Sequence, residues 1–470
     1  MMAILRRALL RAAARRKWLG QWTPAFVLTL VATALALFYS VVPHWYDMER
    51  YWLAWLGDRI LDGSFPHAAG PESPYDAGHS WMPVEWLYAV AVAWTREHHV
   101  FIVFALLNGL AGVAMLWWAL GACIARRVPG TVTFLIGASC FWPTMQRYEL
   151  RAEAFGNAFL AAVLQWGGDP VKRFALVPLF ALWANVHPSF PFGLLVVALQ
   201  AAQSLRRGDI LAAAAFAGCV LATLCTPFGF GLWQHVWWMS HGWVARIVPE
   251  WQPLIRVAPA AVLLLCIPCV SMLARRGIRK RPLVDWSLWP IASLLALESQ
   301  RFFAMATGAG MPLACGLFRQ RDVAVPRPVV WLGLAALVVF VAQGWPGDVV
   351  HVARDGARDV DFGLILTHAS PPVVERDVDM RGKLVSCVPG WYCNAALYLG
   401  ARTLYDGRTE PFSAQRVREL SASLDDPRIL RTWPVDYAIV SPANAQPLQA
   451  DGSWREVARS RLMVIFEHRS

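Results

Sequence analysis

TPAFVLTLVATALALFYSVV (Thr23–Val42) is followed, after a single proline, by HWYDMERYW (His44–Trp52). The first stretch is apolar over about the 20 residues that an α-helix needs to cross a bilayer. The second puts Asp47, Glu49 and Arg50 among aromatic rings, where that helix would meet the head groups. A long cation such as Arg50 snorkels to water, but the short carboxylate of Asp47 cannot reach far. A negative charge at a helix C-terminus also opposes the macrodipole. Asp47 and Glu49 therefore read as candidate functional carboxylates at the rim of a membrane helix.

Composition extends the membrane reading to the whole chain. Of 470 residues, 57% are hydrophobic and 16% charged, and the mean hydropathy is +0.41. A soluble surface needs more charge than that. The 25 Trp residues suit a membrane–water interface. The net charge of +11 does not point to nucleic acid, because much of the excess sits in short clusters between apolar runs. No basic face interleaved with stacking aromatics appears.

Apolar runs between breakers predict membrane helices over about 24–43, 98–122, 128–145, 151–167, 173–187, 189–205, 210–227, 257–274, 284–297, 301–319 and 327–344, roughly eleven in all. With the Arg-rich N-terminus cytoplasmic, alternate crossings place Arg126 and Arg127, Lys172 and Arg173, Arg206 and Arg207, ARRGIRKR (274–281) and FRQRD (318–322) inside. Every cluster then obeys the positive-inside rule. The first apolar run is longer than a usual signal core, so it reads as a retained anchor. The fold class is thus a polytopic α-helical membrane protein, in two parts: a membrane domain over 1–344 and an outer domain over 345–470.

The first outer loop, about 44–97, contains VEWLYAVAVAW, which is apolar but too short to span. From Gly347 the charge density rises, and KLVSCV, ALYLG, DYAIV and LMVIFEH read as β-rich pieces around a helical SAQRVRELSASL. This tail reads as a small extracytoplasmic α/β domain. Its Cys387 and Cys393 can bridge if the compartment is oxidising. The other seven cysteines lie in or beside apolar segments and behave as small core residues.

On the predicted outer side, ionisable residues recur. Asp76, His79 and Glu85 lie in DAGHSWMPVEWL, and Arg147, Glu149, Arg151 and Glu153 in QRYELRAEAF. Asn185 and His187 follow in LWANVHPSF. His235, His241, Arg246 and Glu250 come next, with Trp251, then Glu298 and Arg301 in LESQRFF. Ionisable groups near the membrane are expensive and face a cavity or one another. Their one-sided placement predicts a polar chamber at the outer leaflet. Carboxylates there can deprotonate a hydroxyl, and arginines can hold a phosphate bidentately as a leaving group. Together they describe transfer of a sugar from a lipid phosphate. There is no Walker or dinucleotide-type glycine loop.

Four motifs in order resemble the GT-C superfamily of integral-membrane glycosyltransferases: WYDMERYWLAWLGDRILDGSFP with WMPVEWLYAV, LRAEAF, LWANVHPSFPFGL, and TPFGFGLW with PEWQPL and a later Arg301–Phe303 turn. LYDGRTEPF in the tail is similar to that family's outer domain. The likeness runs over most of the chain and implies a multi-pass protein of the inner membrane with its C-terminal domain in the periplasm. It implies a polyprenyl-phosphate-linked sugar as donor, a glycan, lipid or protein as acceptor, and inversion at the anomeric carbon. The family's first-loop base falls on Asp47 or on Glu49, the latter aligned by counting back from Gly57, with Leu53 where a His often follows. Donor phosphate falls to Arg301, with Arg147 and Arg151 behind it. Glu85, His79, Asn185, His187, Glu250 and Trp251 are candidate substrate contacts. Asn185 and His187 also suit a purely structural role at a helix break. Some relatives use a divalent cation, magnesium or manganese, between carboxylates; no zinc-type spacing is present. Three rival readings stand beside it: another transferase using a lipid carrier, such as a phosphoethanolamine or acyl transferase, for which no Ser or Thr nucleophile with supporting residues is recognisable; a catalytically degenerate scaffold or binding protein of the same fold; and a lipid transporter or flippase. The last would favour internal duplication, which the sequence does not show.

Overall fold

The structure is a computed structural model. It describes residues 26–37, 40, 49–125, 128, 133–134, 137, 150–243, 246, 251–257, 259, 262, 283–316, 378–388, 390–422, 433–459 and 463–469. Helices dominate up to residue 316. In chain order they are α1 (Phe26–Leu37), α2 (Glu49–Leu61), α3 (Trp86–Glu97), α4 (Phe101–Ala125), α5 (Glu153–Trp166), α6 (Leu176–Val186), α7 (Phe190–Leu205), α8 (Leu211–Ala222), α9 (Gly231–His241), α10 (Leu283–Glu298) and α11 (Phe303–Gly316).

The helices are apolar outward as well as inward. On α4, Ile102, Val103, Leu106, Leu107 and Trp117 are exposed, while Ala105, Asn108, Ala111 and Ala119 are buried on the opposite face. On α8 the buried positions are the small residues Ala212, Ala215, Cys219 and Ala222, and Leu211 and Leu221 point out. The division on α8, small residues inward and large apolar residues outward, is the pattern of helices packing within lipid. Among the described residues, one helix, Phe101–Cys123, is long and apolar enough by itself to cross a membrane. The expected spans at 128–145, 257–274 and 327–344 fall largely outside the described residues.

Two helices arise where loops are expected. Both α2 and α9 carry charged or imidazole groups among their aromatics, so neither gives an uninterrupted apolar run. The expected short apolar segment of the first outer loop is α3, 12 residues long. At 1.5 Å per residue it extends about 18 Å, well short of a bilayer core. It packs tightly on α2, because a Cβ at Gly57 would stand 2.1 Å from the Ala89 carbonyl oxygen.

The break between α6 and α7 has a local cause. His187 precedes Pro188 and is pushed to an extended conformation, φ −157° and ψ 139°. Ser189 then precedes the new helix, and Pro191 sits in its first turn, where no amide hydrogen is missed. Gly156 on α5 lets that helix close on the break, since a Cβ there would lie 2.7 Å from Ser189 Oγ.

The tail forms a five-stranded sheet, β1 (Leu384–Val388), β2 (Arg402–Thr403), β3 (Tyr437–Val440), β4 (Trp454–Arg459) and β5 (Val464–His468), in the order β2-β1-β3-β5-β4. β1 runs parallel to β2 and β3, and β5 is antiparallel to β3 and β4. KLVSCV, DYAIV and LMVIFEH supply β1, β3 and β5. ALYLG does not form a strand: it closes α12 (Cys393–Tyr398), whose Ala395, Ala396 and Leu397 are good helix formers. SAQRVRELSASL contains α13 (Ala414–Ala422). Cys387 and Cys393 are joined in a disulfide with S–S 2.09 Å.

The tail is seated on the first outer loop. Tyr51 of α2 belongs to the same buried cluster as Val385, Tyr392 and Ile465. The Arg408 guanidinium donates to Asp406 Oδ2 (2.7 Å), Ser73 Oγ (2.7 Å) and Glu72 Oε1 (3.1 Å). It lies between the rings of Trp55, Trp81 and Phe412, at 4.7, 5.3 and 5.7 Å from their centroids. A second contact joins Arg416 to Asp76 at 3.3 Å, with the Trp433 ring 3.9 Å away.

Candidate functional site

Helix starts and breaks bring one charged cluster together. Glu49 opens α2, Glu153 opens α5 next to Arg151, and Glu85 immediately precedes α3. Arg151 Nη1 lies 3.3 Å from Glu49 Oε1. Glu85 Oε1 faces His187 Nε2 at 3.7 Å, beyond hydrogen-bond length. His235 Nε2 of α9 stands 3.2 Å from Glu410 Oε2 of the tail. Arg301, in the single 3₁₀ turn between α10 and α11, holds its guanidinium 4.8 Å from the centre of the Trp251 ring.

Glu85 feels the charge of several of these groups. Burial is the first cause that pushes its pKa up to about 8; the charge of Glu49 adds to the rise, Arg301 opposes it, and Glu410 and Glu153 raise it further. Yet its side chain keeps 20% of its surface. The charges of Glu49, Glu410, Glu153 and Arg301 all bear on Glu85, and Arg151 is paired with Glu49.

His187 is oriented by its neighbours. The backbone N–H of Ser189 donates to Nδ1 at 3.2 Å, so Nδ1 accepts and the ring proton belongs on Nε2, toward Glu85. Asn185 is bonded within the protein on every side that is seen. Its Oδ1 accepts from Trp86 Nε1 at 3.0 Å, and its Nδ2 donates to the carbonyls of Ala181 (2.7 Å) and Cys225 (2.8 Å). His79 is exposed on a bridged turn and makes no side-chain hydrogen bond or ion pair among the described residues. Asp47, Arg147 and Glu250 lie outside the described residues. No group of three or more metal-ligating side chains occurs among the described residues.

No protein-family model matches the sequence, and no curated protein matches it. Among solved structures the chain is similar to that of ArnT from Cupriavidus metallidurans bound to undecaprenyl phosphate. The identity is 14%, with 94% of this chain and 97% of that chain covered and a TM-score of 0.47. A likeness at that level assigns neither a site nor a reaction to this chain.

Three participants were not legible as site residues in their own motifs. Glu410 lies in the tail, Glu72 and Arg408 tie that tail down, and the pairing of Glu410 with His235 and of Arg408 with Glu72 is made only across the fold. The pairing of a charged DGRTE turn with a charged PES turn is the one signal that could have linked them.

The raised Glu85 carboxyl has a testable sign. Its folded pKa lies above the ordinary carboxyl value near 4.5, so the folded state holds a proton that the unfolded state has lost between about pH 4.5 and 8. Stability from this group is full below about 4.5 and falls as the pH rises toward 8. Thermal unfolding of the protein in nanodiscs from pH 5 to 9 is expected to show that decline. Glu85→Gln is expected to flatten it; an unchanged slope in the variant would rule Glu85 out as its source.

Proposed function

We propose that the cluster transfers a sugar from a polyprenyl-phosphate donor to an acceptor hydroxyl at the outer face of the inner membrane, with inversion, as the GT-C resemblance implies. The observation that supports the proposal is that Arg151 pairs with Glu49 at 3.3 Å while Glu49 and Arg301 both act electrostatically on Glu85, so that these four groups form one charged cluster beside outwardly apolar helices. Asp47 or Glu49 takes the proton from the acceptor hydroxyl, and the freed oxygen attacks the anomeric carbon. The bond from that carbon to the phosphate oxygen breaks, and its electron pair leaves on the phosphate. Arg301 and Arg151 stabilise the departing charge. The apolar outer faces of α4 and α8 would leave the lipid tail in the bilayer. The disulfide in the tail supports an oxidising compartment for that domain.

The test compares polyprenyl-linked glycolipids by mass spectrometry in native cells carrying Asp47→Asn or Glu49→Gln. A sugar-phosphate lipid that accumulates with one variant names both the donor and the base. If both folded variants leave every such lipid at its wild-type level, the scaffold or transporter reading takes over.

A further inference from the structure

The turn Asp406–Glu410 is built to hold one carboxylate in place. Thr409 has φ +59°, a left-handed backbone that a β-branched residue adopts only at a cost. Arg408 before it is clamped by Asp406, Ser73 and Glu72. The N–H of Glu410 donates to the Arg408 carbonyl at 2.6 Å. Strain held by such a lock signals that the position of the next side chain matters.

That side chain meets His235. Glu410 Oε2 and His235 Nε2 are 3.2 Å apart on side chains each 13% exposed. Neither atom is aligned for a hydrogen bond with any partner among the described residues, although both are shielded from solvent. The two atoms offset each other as an ion pair when the imidazole is protonated, but the pair is not aligned as a hydrogen bond, so a third polar group can improve it. A hydroxyl can donate to the carboxylate and accept from an imidazole N–H at once. Beside the pair, the Trp238 ring lies 5.6 Å from the imidazole, and its side is partly exposed. A carboxylate and an imidazole next to an indole face match a sugar ring, with hydroxyls along its edge and C–H groups on its face.

We propose that Glu410 and His235 form a subsite for a pyranose ring of the acceptor, completed by the tail, with Arg408 as the positioning residue that holds Glu410 there. The proposal rests on the transfer reading and adds the acceptor class, a sugar, together with the part played by the tail. The charge of Glu410 also bears on Glu85, which couples this subsite electrostatically to the carboxylate cluster.

The test uses the full chain in nanodiscs free of glycoside detergents. Saturation-transfer NMR with methyl glucopyranoside, methyl galactopyranoside and methyl mannopyranoside reads the subsite. Protection against thermal unfolding by undecaprenyl phosphate reads the donor side. Wild type is expected to bind at least one pyranoside, and Glu410→Gln to weaken it about 10-fold or more, the loss of one charge-assisted hydrogen bond. His235→Phe, which keeps a ring against Trp238, is expected to do the same and decides the matter if Glu410→Gln does not fold. Undecaprenyl phosphate protection is expected to stay unchanged in both. Pyranosides that bind all three proteins equally, or none of them, would overturn the subsite. Failure of undecaprenyl phosphate to protect wild type would instead remove the transfer reading, while the pyranoside signal still decides the subsite.

Discussion

Arg301→Ala is expected to slow sugar transfer by about 10²–10³-fold when donor is limiting, the scale seen when a placed charge stabiliser is lost. The argument is positional. Arg301 occupies a 3₁₀ turn of three residues pinned between two helices, and the Gln300 N–H donates to the Gln252 carbonyl at 3.0 Å. The Trp251 ring under the guanidinium limits where it can swing. Its charge already lowers the Glu85 pKa, so it acts on the same carboxylate cluster. Arg301→Lys keeps the charge but loses the planar fork and the stacking, and should recover only part of the rate. Initial rates with purified protein and the donor identified from the accumulating lipid check both. Full activity in Arg301→Ala would move the phosphate to Arg151 or Arg147.

Arg408→Ala is expected to cost about 3–5 kcal/mol, the usual result of removing one partner from a buried ion pair. Asp406 has 0% exposure and the Arg408 side chain likewise, so nothing replaces the lost cation. The three rings around it lose their packing partner as well. Thermal unfolding, and protease cleavage of the tail, measure the effect; an unaltered melting profile would remove Arg408 as the anchor. Acid should mimic the substitution in part. Burial works against ionised Glu72, but Arg408 outweighs it together with hydrogen bonds from backbone N–H groups, and the carboxyl sits below its ordinary value. A lowered carboxyl stabilises above its unfolded pKa near 4.5 and ceases to do so as the pH falls through its folded pKa. The anchor should therefore hold at neutral pH and weaken in acid.

Local features were legible wherever one segment contains its own explanation. The break at His187 follows from Pro188, the turn at Arg301 from polar residues between two apolar runs, and β1, β3 and β5 from short β-branched stretches. Helices α2 and α9 were hidden because their charged and imidazole groups break the apolar run that marks a membrane span. ALYLG misled because Leu and Tyr suit either element, and the preceding alanines decide for helix. Among the site residues, Glu49 pairs with Arg151, Glu85 faces His187 and Arg301 acts on Glu85 through its charge, whereas His79 is exposed and Asn185 is occupied by backbone carbonyls and Trp86. What the sequence could not disclose was Glu410. Its partner His235 lies far earlier in the chain, and no period or spacing links the two.

The contact between Arg408 and Glu72 spans 336 positions of sequence. The first loop is thus made well before the tail, and its ring-lined pocket must wait for more than 300 further residues before its guanidinium arrives. Contacts of such separation close late, after the loop-closure entropy has been met by everything between. The nascent protein would hold its helices in lipid with the outer site still incomplete. A chain ended by a stop codon before Arg408 would lack that guanidinium and never assemble the finished pocket.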